Sequence, residues 1–286
     1  ISRGFRNPWD IAFDNRFDWL GTDNDQTMGD KIFTPFFGSH FGWGHPWSYD
    51  WKGDDHLPTA PSSGPLFEGS GAGVIHCAIP GYPSNYNNVF FINDWLNREI
   101  FIYRSRWDGA WRKPDRLKLE ILAHAGGGRS MPLSKGRSFD PVDIEMGPDG
   151  AIWITSWGRQ YGAHYENNKL ANEGRIYRVW PKDYSPSYPS RDTRTVEGLI
   201  GDLGSHLPAW RTNAQEELIR RGKSIEPFLR AALRKPDLSV ALETWLVWTI
   251  GRINPESWFE ENTNRKIQSI RVAAFNGRLH PAIRQA

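Results

Sequence analysis

The chain holds one cysteine, Cys77, in 286 residues. That excludes an intrachain disulfide, a zinc site built on thiolates and the paired cysteines of a covalent haem attachment. Cys77 lies in the run VIHCAI and reads as a buried structural thiol. No run of 18 apolar residues occurs, so no transmembrane segment is expected. Charge of one sign is missing as well: 35 basic against 33 acidic residues leave a net +2, with no long basic run. Nothing in that balance attracts nucleic acid. The sequence has no initiator Met and no signal-peptide pattern, and it opens almost directly on a strand-like segment. The expectation is a piece of a longer polypeptide.

Tryptophan, by contrast, is abundant, with 15 in the chain. Trp43, Trp47, Trp51, Trp95 and Trp157 lie beside Gly, Pro, Asp or His, as in loops and strand ends. Indole in such places suits stacking on sugar rings, and it equally suits ordinary loop packing.

The most informative stretch is GFRNPWDIAFDNRFDWLGTDND, residues 4–25. Ile11 and Phe13 alternate with polar neighbours, Asn15 and Arg16 make a turn, and Trp19 and Leu20 resume the apolar run. The pattern returns in PVDIEMGPDGAIWITSWG, residues 141–158, where Asp143-Ile144 matches Asp10-Ile11 and Thr155 matches Thr22. A strand pair recurring at long range predicts a radial β-repeat, a propeller, rather than a single sheet.

Three clusters of strands are expected: Asp10 to about Phe33, Gly73 to Ala123, and PVDIEM to about Trp180. Their steps exceed the roughly 40–45 residues of short-blade propellers, and insertion loops account for the excess. The longest is the Gly-, Pro- and His-rich connection after Phe37, of a length that is usually functional. Beyond a polar linker the strand signals stop and apolar residues recur at helical spacing, as in Ala214, Leu218, Ile219 and in Leu242, Trp245, Leu246, Ile250. Breakers at 222–224, 236–237, 254–255 and 280–281 separate helices of roughly 10 to 16 residues. These read as HEAT-type pairs or as a small helical bundle. The division is residues 1–182, a linker at 183–195, and a helical part at 196–286.

The ordered motifs GFRNP, DND, HFGWGHPW, SGPLFEGSGAG, INDWLNREIFIYR, PVDIEMGPDGAIWI and NEGRIYRVW resemble the sorbosone and soluble aldose dehydrogenase propellers. The likeness extends to the bacterial membrane-bound dehydrogenase type, in which such a propeller precedes HEAT repeats and often a c-type haem domain. The resemblance implies a multidomain β + α protein: about three blades of a six-bladed β-propeller, then HEAT-like repeats. It implies oxidation of a sugar or polyol with pyrroloquinoline quinone (PQQ) and calcium, a haem partner domain elsewhere, a protein partner for the helices, and a periplasmic or extracellular location.

By the same likeness Arg6 and Asn7 contact the quinone, a role suited to a guanidinium fork and an orienting amide; the other reading is that they only close a turn before Pro8. Asp23, Asp25 and Asp30 stand where the family has its calcium loop, and their oxygens suit that ion; a solvated acidic turn is the alternative. Arg129, after three glycines, is a second anion contact without the helix that a phosphate loop needs. His40 and His45 are candidate bases or ligands, or structural loop residues. Two departures bear on catalysis. Asp140 and Val142 stand where the family has quinone-binding arginines, and the stretch expected to hold the proton-abstracting His is absent. The other class of function is a non-catalytic carbohydrate-binding or scaffolding propeller that kept the fold and lost the cofactor arginines.

Overall fold

The computed structural model describes residues 2–24, 30–36, 38–43, 60–64, 71–116, 118–124, 139–157, 165–170, 174–188, 190 and 195–278. Two compact units emerge. The β unit takes in residues 1–14, 18–146 and 151–185; the helical unit takes in 186–286 together with two hairpin turns, 15–17 and 147–150.

The β unit is built from β1 (Pro8–Phe13), β2 (Trp19–Asp23), β3 (Lys31–Phe33), β4 (Gly71–Cys77), β5 (Val89–Asp94), β6 (Glu99–Tyr103), β7 (Ser105–Asp108), β8 (Trp111–Pro114), β9 (Glu120–His124), β10 (Asp140–Met146), β11 (Ile152–Trp157), β12 (Tyr165–Glu166), β13 (Lys169–Leu170) and β14 (Arg175–Val179). They form three antiparallel sheets, β1-β2-β3, β4-β5-β6-β9 and β10-β11-β14, with the two small hairpins β7-β8 and β12-β13. The three strand clusters expected from the alternation are these three sheets. The small hairpins are not anticipated: SRWD and WRKP carry little apolar alternation, and a two-residue ladder leaves no pattern.

Strand β4 packs against both β1 and β10. The core between the first two sheets holds Leu20, Ile32, Val74, Phe90, Ile92 and Tyr103. Here Phe90 and Ile92 sit on one face while Phe91 and Asn93 sit on the other, and both faces are buried, as for a sheet covered on two sides. Arg112 in β8, fully buried, lies between the rings of Phe90 (5.1 Å) and Trp107 (4.9 Å) and ion-pairs with Asp14 at 2.6 Å.

In the helical unit, α1 (Val196–Leu203), α2 (Pro208–Arg221), α3 (Glu226–Leu233), α4 (Val240–Ile253) and α5 (Thr263–Phe275) surround a core of Leu199, Leu218, Leu229, Leu246 and Ile250. Thr195, Ser239 and Asn262 cap α1, α4 and α5 by accepting a first-turn N–H on their side chains. Helix α1 is not anticipated, and α1 and α3 have eight residues each, shorter than the spacing suggests. The turn residue Phe17 has φ 55°, a left-handed conformation that a bulky residue keeps only when held. Its ring is held edge-on by Trp245 (5.1 Å) and Trp248 (5.5 Å).

Candidate functional site

The first strands of the three sheets begin alike. In β1, β4 and β10 the ladder slips by one residue near the start, between Pro8 and Asp10, between Gly71 and Val74, and between Pro141 and Asp143. A bulge re-aims side chains at a strand end and is frequent beside functional sites. At this end three indoles meet, one from each sheet. Trp9 lies 6.2 Å from Trp157, and Trp95 lies 5.3 Å from Trp157, both edge to face. Trp95 and Trp157 stand out in the sequence by their polar neighbours. Trp9 is missed there, although its place just before the Asp10-Ile11 repeat marks it as a strand-end residue.

Arg6 and Asn7, both exposed, precede Trp9 on the segment that leads into β1. Their backbone N–H groups donate to the buried carboxylate of Asp23, at 3.3 Å and 2.8 Å, and Lys31 Nζ lies 3.8 Å from the same carboxylate. Arg6 donates through Nη1 to the carbonyl of Asn24 at 3.1 Å and its guanidinium lies over Trp43 at 5.7 Å. Asp23 is thus an anchor for the loop that carries Arg6. Asp30 is buried, and among the described residues no group of three His, Cys, Asp or Glu is assembled for a metal. Asp25, His45 and Arg129 lie outside the described residues.

His40 has a role in the loop. Its Nδ1 accepts the N–H of Gly42 at 3.0 Å, which leaves the proton of a neutral ring on Nε2. A Cβ on Gly4, where φ is +77°, would stand 2.4 Å from the His40 ring, so glycine there admits the imidazole.

At Asp140, where the resemblance places a cation, Arg98 crosses from the β5–β6 turn and pairs with Oδ1 at 3.0 Å. Burial raises the Asp140 carboxyl above the usual range, and Arg98 opposes it; Oδ2 accepts no hydrogen bond among the described residues. Arg98 is missed by the sequence reading, which sees only a turn residue. Asp10 and Glu145 are also raised, first by burial and further by Asp143. An apolar groove of about 590 Å³, lined by Phe5, Trp9, Ile11, Trp19 and Phe36, opens on the outer face of the first sheet and shares only Trp9 with the indole trio.

No protein-family profile matches the chain, and no curated protein does. Among solved structures it is similar to the soluble aldose sugar dehydrogenase of Escherichia coli in its apo form, at 16% identity and a TM-score of 0.43 over 63% of this chain and 46% of that one. It is similar to an oxidoreductase described as a glucose dehydrogenase from Thermus thermophilus, at 13% identity and 0.42 over 62% and 46%. A third is the PQQ-bound aldose sugar dehydrogenase of Streptomyces coelicolor, at 14% identity and 0.38 over 62% and 44%. The chain spans less than half the length of each.

Proposed function

We propose that the β unit is part of a propeller-type sugar oxidoreductase and presents one wall of its sugar or polyol site. The observation that carries this is the meeting of Trp9, Trp95 and Trp157, contributed by three sheets, with the exposed Arg6 and Asn7 on the segment just before Trp9. Indole faces cover the C–H faces of a pyranose, and a guanidinium and an amide at the rim bond its hydroxyls. The ordered motif series supports the same class.

The donors on this wall do not fit a tricarboxylate quinone. Lys31 faces Asp23, Arg98 faces Asp140, and one nitrogen of Arg6 is already engaged by Asn24. PQQ at this place draws its remaining counter-charges from outside the described residues, Arg129 among them. Calcium on the Asp23, Asp25, Asp30 turn needs Asp25 in the same way, since Asp23 is engaged by two N–H groups. With Nδ1 of His40 occupied, His45 or a residue outside this chain is the base. In the wider proposal the helices continue as HEAT-like repeats that bind a protein partner. Electrons pass to a haem domain elsewhere, and the location is periplasmic or extracellular.

The second reading is a carbohydrate-binding propeller without chemistry, and the neutralised Asp140–Arg98 pair favours it at that one position. One experiment separates them. The chain is titrated with aldoses while tryptophan emission is followed, and dye reduction is assayed with added PQQ and calcium. A saturable emission change that Trp157→Ala removes is expected, without turnover, since a missing base alone removes about 10²–10⁴ in rate. The absence of any saturable change sinks the sugar wall. Robust turnover places the base within the chain, with His45 first.

A further inference from the structure

The helical unit buries a positive charge for which its described residues supply no counter-charge. Arg211, near the start of α2, is 7% exposed. It donates through Nη1 to Asn15 Oδ1 at 3.3 Å, in the hairpin turn that belongs to this unit, and through Nη2 to the His206 carbonyl at 3.1 Å. Both acceptors are neutral. Its Nε is buried and has no partner among the described residues. Burial pulls the Arg211 pKa down to about 10, and no acidic neighbour holds it up. Arg252, which reaches across from α4 to α2, shows what is missing: it donates to Gln215 Oε1 at 3.1 Å and pairs with Glu216 at 2.7 Å.

Two further features lie beside Arg211. The bond to His206 draws the guanidinium back toward the start of α2, where the N-cap residue Leu207 supplies no side-chain acceptor and the first turn holds no acidic residue. The positive end of the helix dipole thus adds to the charge of Arg211 instead of opposing it. From α4, the indole of Trp245 lies 5.9 Å from the guanidinium carbon, and its buried Nε1 has no partner among the described residues. An indole face offsets part of a cation's charge, but its N–H is one more donor without an acceptor. A charge taken out of water destabilises a fold unless it is paired. An orphaned Nε, an orphaned indole N–H and an uncapped helix start all call for an acceptor that carries negative charge.

We propose that Arg211, Trp245 and the start of α2 form an anion site that takes a small dehydrated monovalent anion of the halide class, chloride in ordinary salt solutions. The charge to be balanced is that of one guanidinium, and a divalent oxyanion would leave excess negative charge in the same dry place. Phosphate or sulfate also brings four oxygens that need donors, whereas Arg211 Nε and Trp245 Nε1 supply two. A halide is satisfied by few N–H groups and has no fixed directions to meet. Such an ion stabilises the helical unit whether or not the β unit binds a sugar.

Thermal unfolding of the full chain in mixtures of sodium chloride and sodium gluconate at constant ionic strength is the test, because gluconate is too bulky for the seat. The helical transition is expected to rise by several degrees with chloride and then saturate, as a ligand bound only by the folded state requires. Arg211→Met keeps most of the stem and removes the charge. It is expected to abolish the chloride dependence, so that its deficit against the wild type is least in gluconate. Trp245→Phe keeps a ring at that place and removes the N–H, and its half-saturating chloride concentration should rise about tenfold. If Arg211→Met fails to fold, iodide quenching decides: wild-type emission should fall saturably where Trp245→Phe shows only collisional quenching, and equal quenching in the two overturns the site. No chloride dependence at constant ionic strength overturns it as well, as does a dependence that survives in folded Arg211→Met. A saturable response to sulfate stronger than that to chloride overturns the choice of a monovalent ion.

Discussion

The two units hold their buried carboxylates differently. In the helical unit the carboxylate of Glu243 receives Arg265 Nε at 2.6 Å, Asn262 Nδ2 at 2.8 Å and Asn264 Nδ2 at 2.8 Å. Burial pushes its pKa up, but these donors outweigh burial and hold it below the usual range. In the β unit Asn93 is fully buried and neither amide atom has a partner among the described residues; Asp140 Oδ2 and Arg112 Nε are in the same position. A paired group fixes a fold, whereas uncompensated burial of polar atoms clusters where a protein binds something. Orphaned atoms occur in the helical unit too, at Arg211 Nε and Trp245 Nε1, so the contrast between the units is one of buried carboxylates: Glu243 is met by three donor side chains and Asp140 by one.

The largest test of that contrast is Glu243→Ala. It strands three donors that close α4 onto α5, and breaking a buried pair costs about 3–5 kcal/mol. The helical unit should melt many degrees earlier by calorimetry while the β-unit transition stays in place. A shift under about 1 kcal/mol would mean that water replaces the lost carboxylate and that the framework is less dry than it looks.

Arg112→Leu is the matching cut in the β unit. Leucine keeps contact with Phe90 and Trp107 but forfeits the ion pair to Asp14 and two cation–π contacts. Since Nε has no partner in the native fold, removing it offsets part of the loss, and about 2 kcal/mol is expected. Chemical denaturation read on the β unit checks it. A cost equal to that of Glu243→Ala would erase the contrast.

How much of this is legible in the sequence depends on whether the signal is periodic or spatial. The three sheets follow from alternation and from the Asp-Ile repeat at residues 10 and 143, because bulge and ladder are local. Trp9 and Arg98 join the site only because β1, β4 and β10 lie side by side, which no spacing reveals. His40 looks like a base on paper; its ring is committed to Gly42 by a contact two residues away that a loop sequence does not announce. Helix α1 does carry Val196, Leu199, Ile200 and Leu203 at helical spacing, but two glycines lie within its eight residues and the polar linker runs straight into it; β7-β8 holds a charged residue, Arg112, where a core strand would show an apolar one.

A finer comparison sets the two sheet junctions against each other. Thr22→Val removes a made bond and leaves the Ala72 carbonyl unpaired, at a cost of about 1–2 kcal/mol. Asn93→Val removes two orphaned polar atoms from full burial and should be neutral or stabilising by about 1 kcal/mol. Paired denaturation curves give both signs. If Asn93→Val instead destabilises as Thr22→Val does, the amide serves the second junction in a way its static contacts do not display.

The smallest effect is the response to acid, and its sign differs between the buried carboxylates of the two units. Glu243 has a folded pKa below its ordinary 4.5, so it contributes stability that is present above that value and lost as pH falls through the folded one. Asp10, Asp140 and Glu145 are raised, mainly by burial, so their contribution is fully present below the ordinary carboxylate values and lost as pH rises through the folded ones. Lowering the pH from neutral to just below 4 therefore relieves the β unit while it begins to weaken the helical unit. Hydrogen exchange followed peptide by peptide reads the two separately. Peptides of α4 and α5 should lose protection first on acidification, while those of β1 and β10 hold or gain it. Were β10 to open before α4, the buried carboxylates of the β unit would be net stabilising when charged. Asp140 with Arg98 would then be a structural pair of the same kind as Glu243 with Arg265, and the difference between the units would lie in geometry alone.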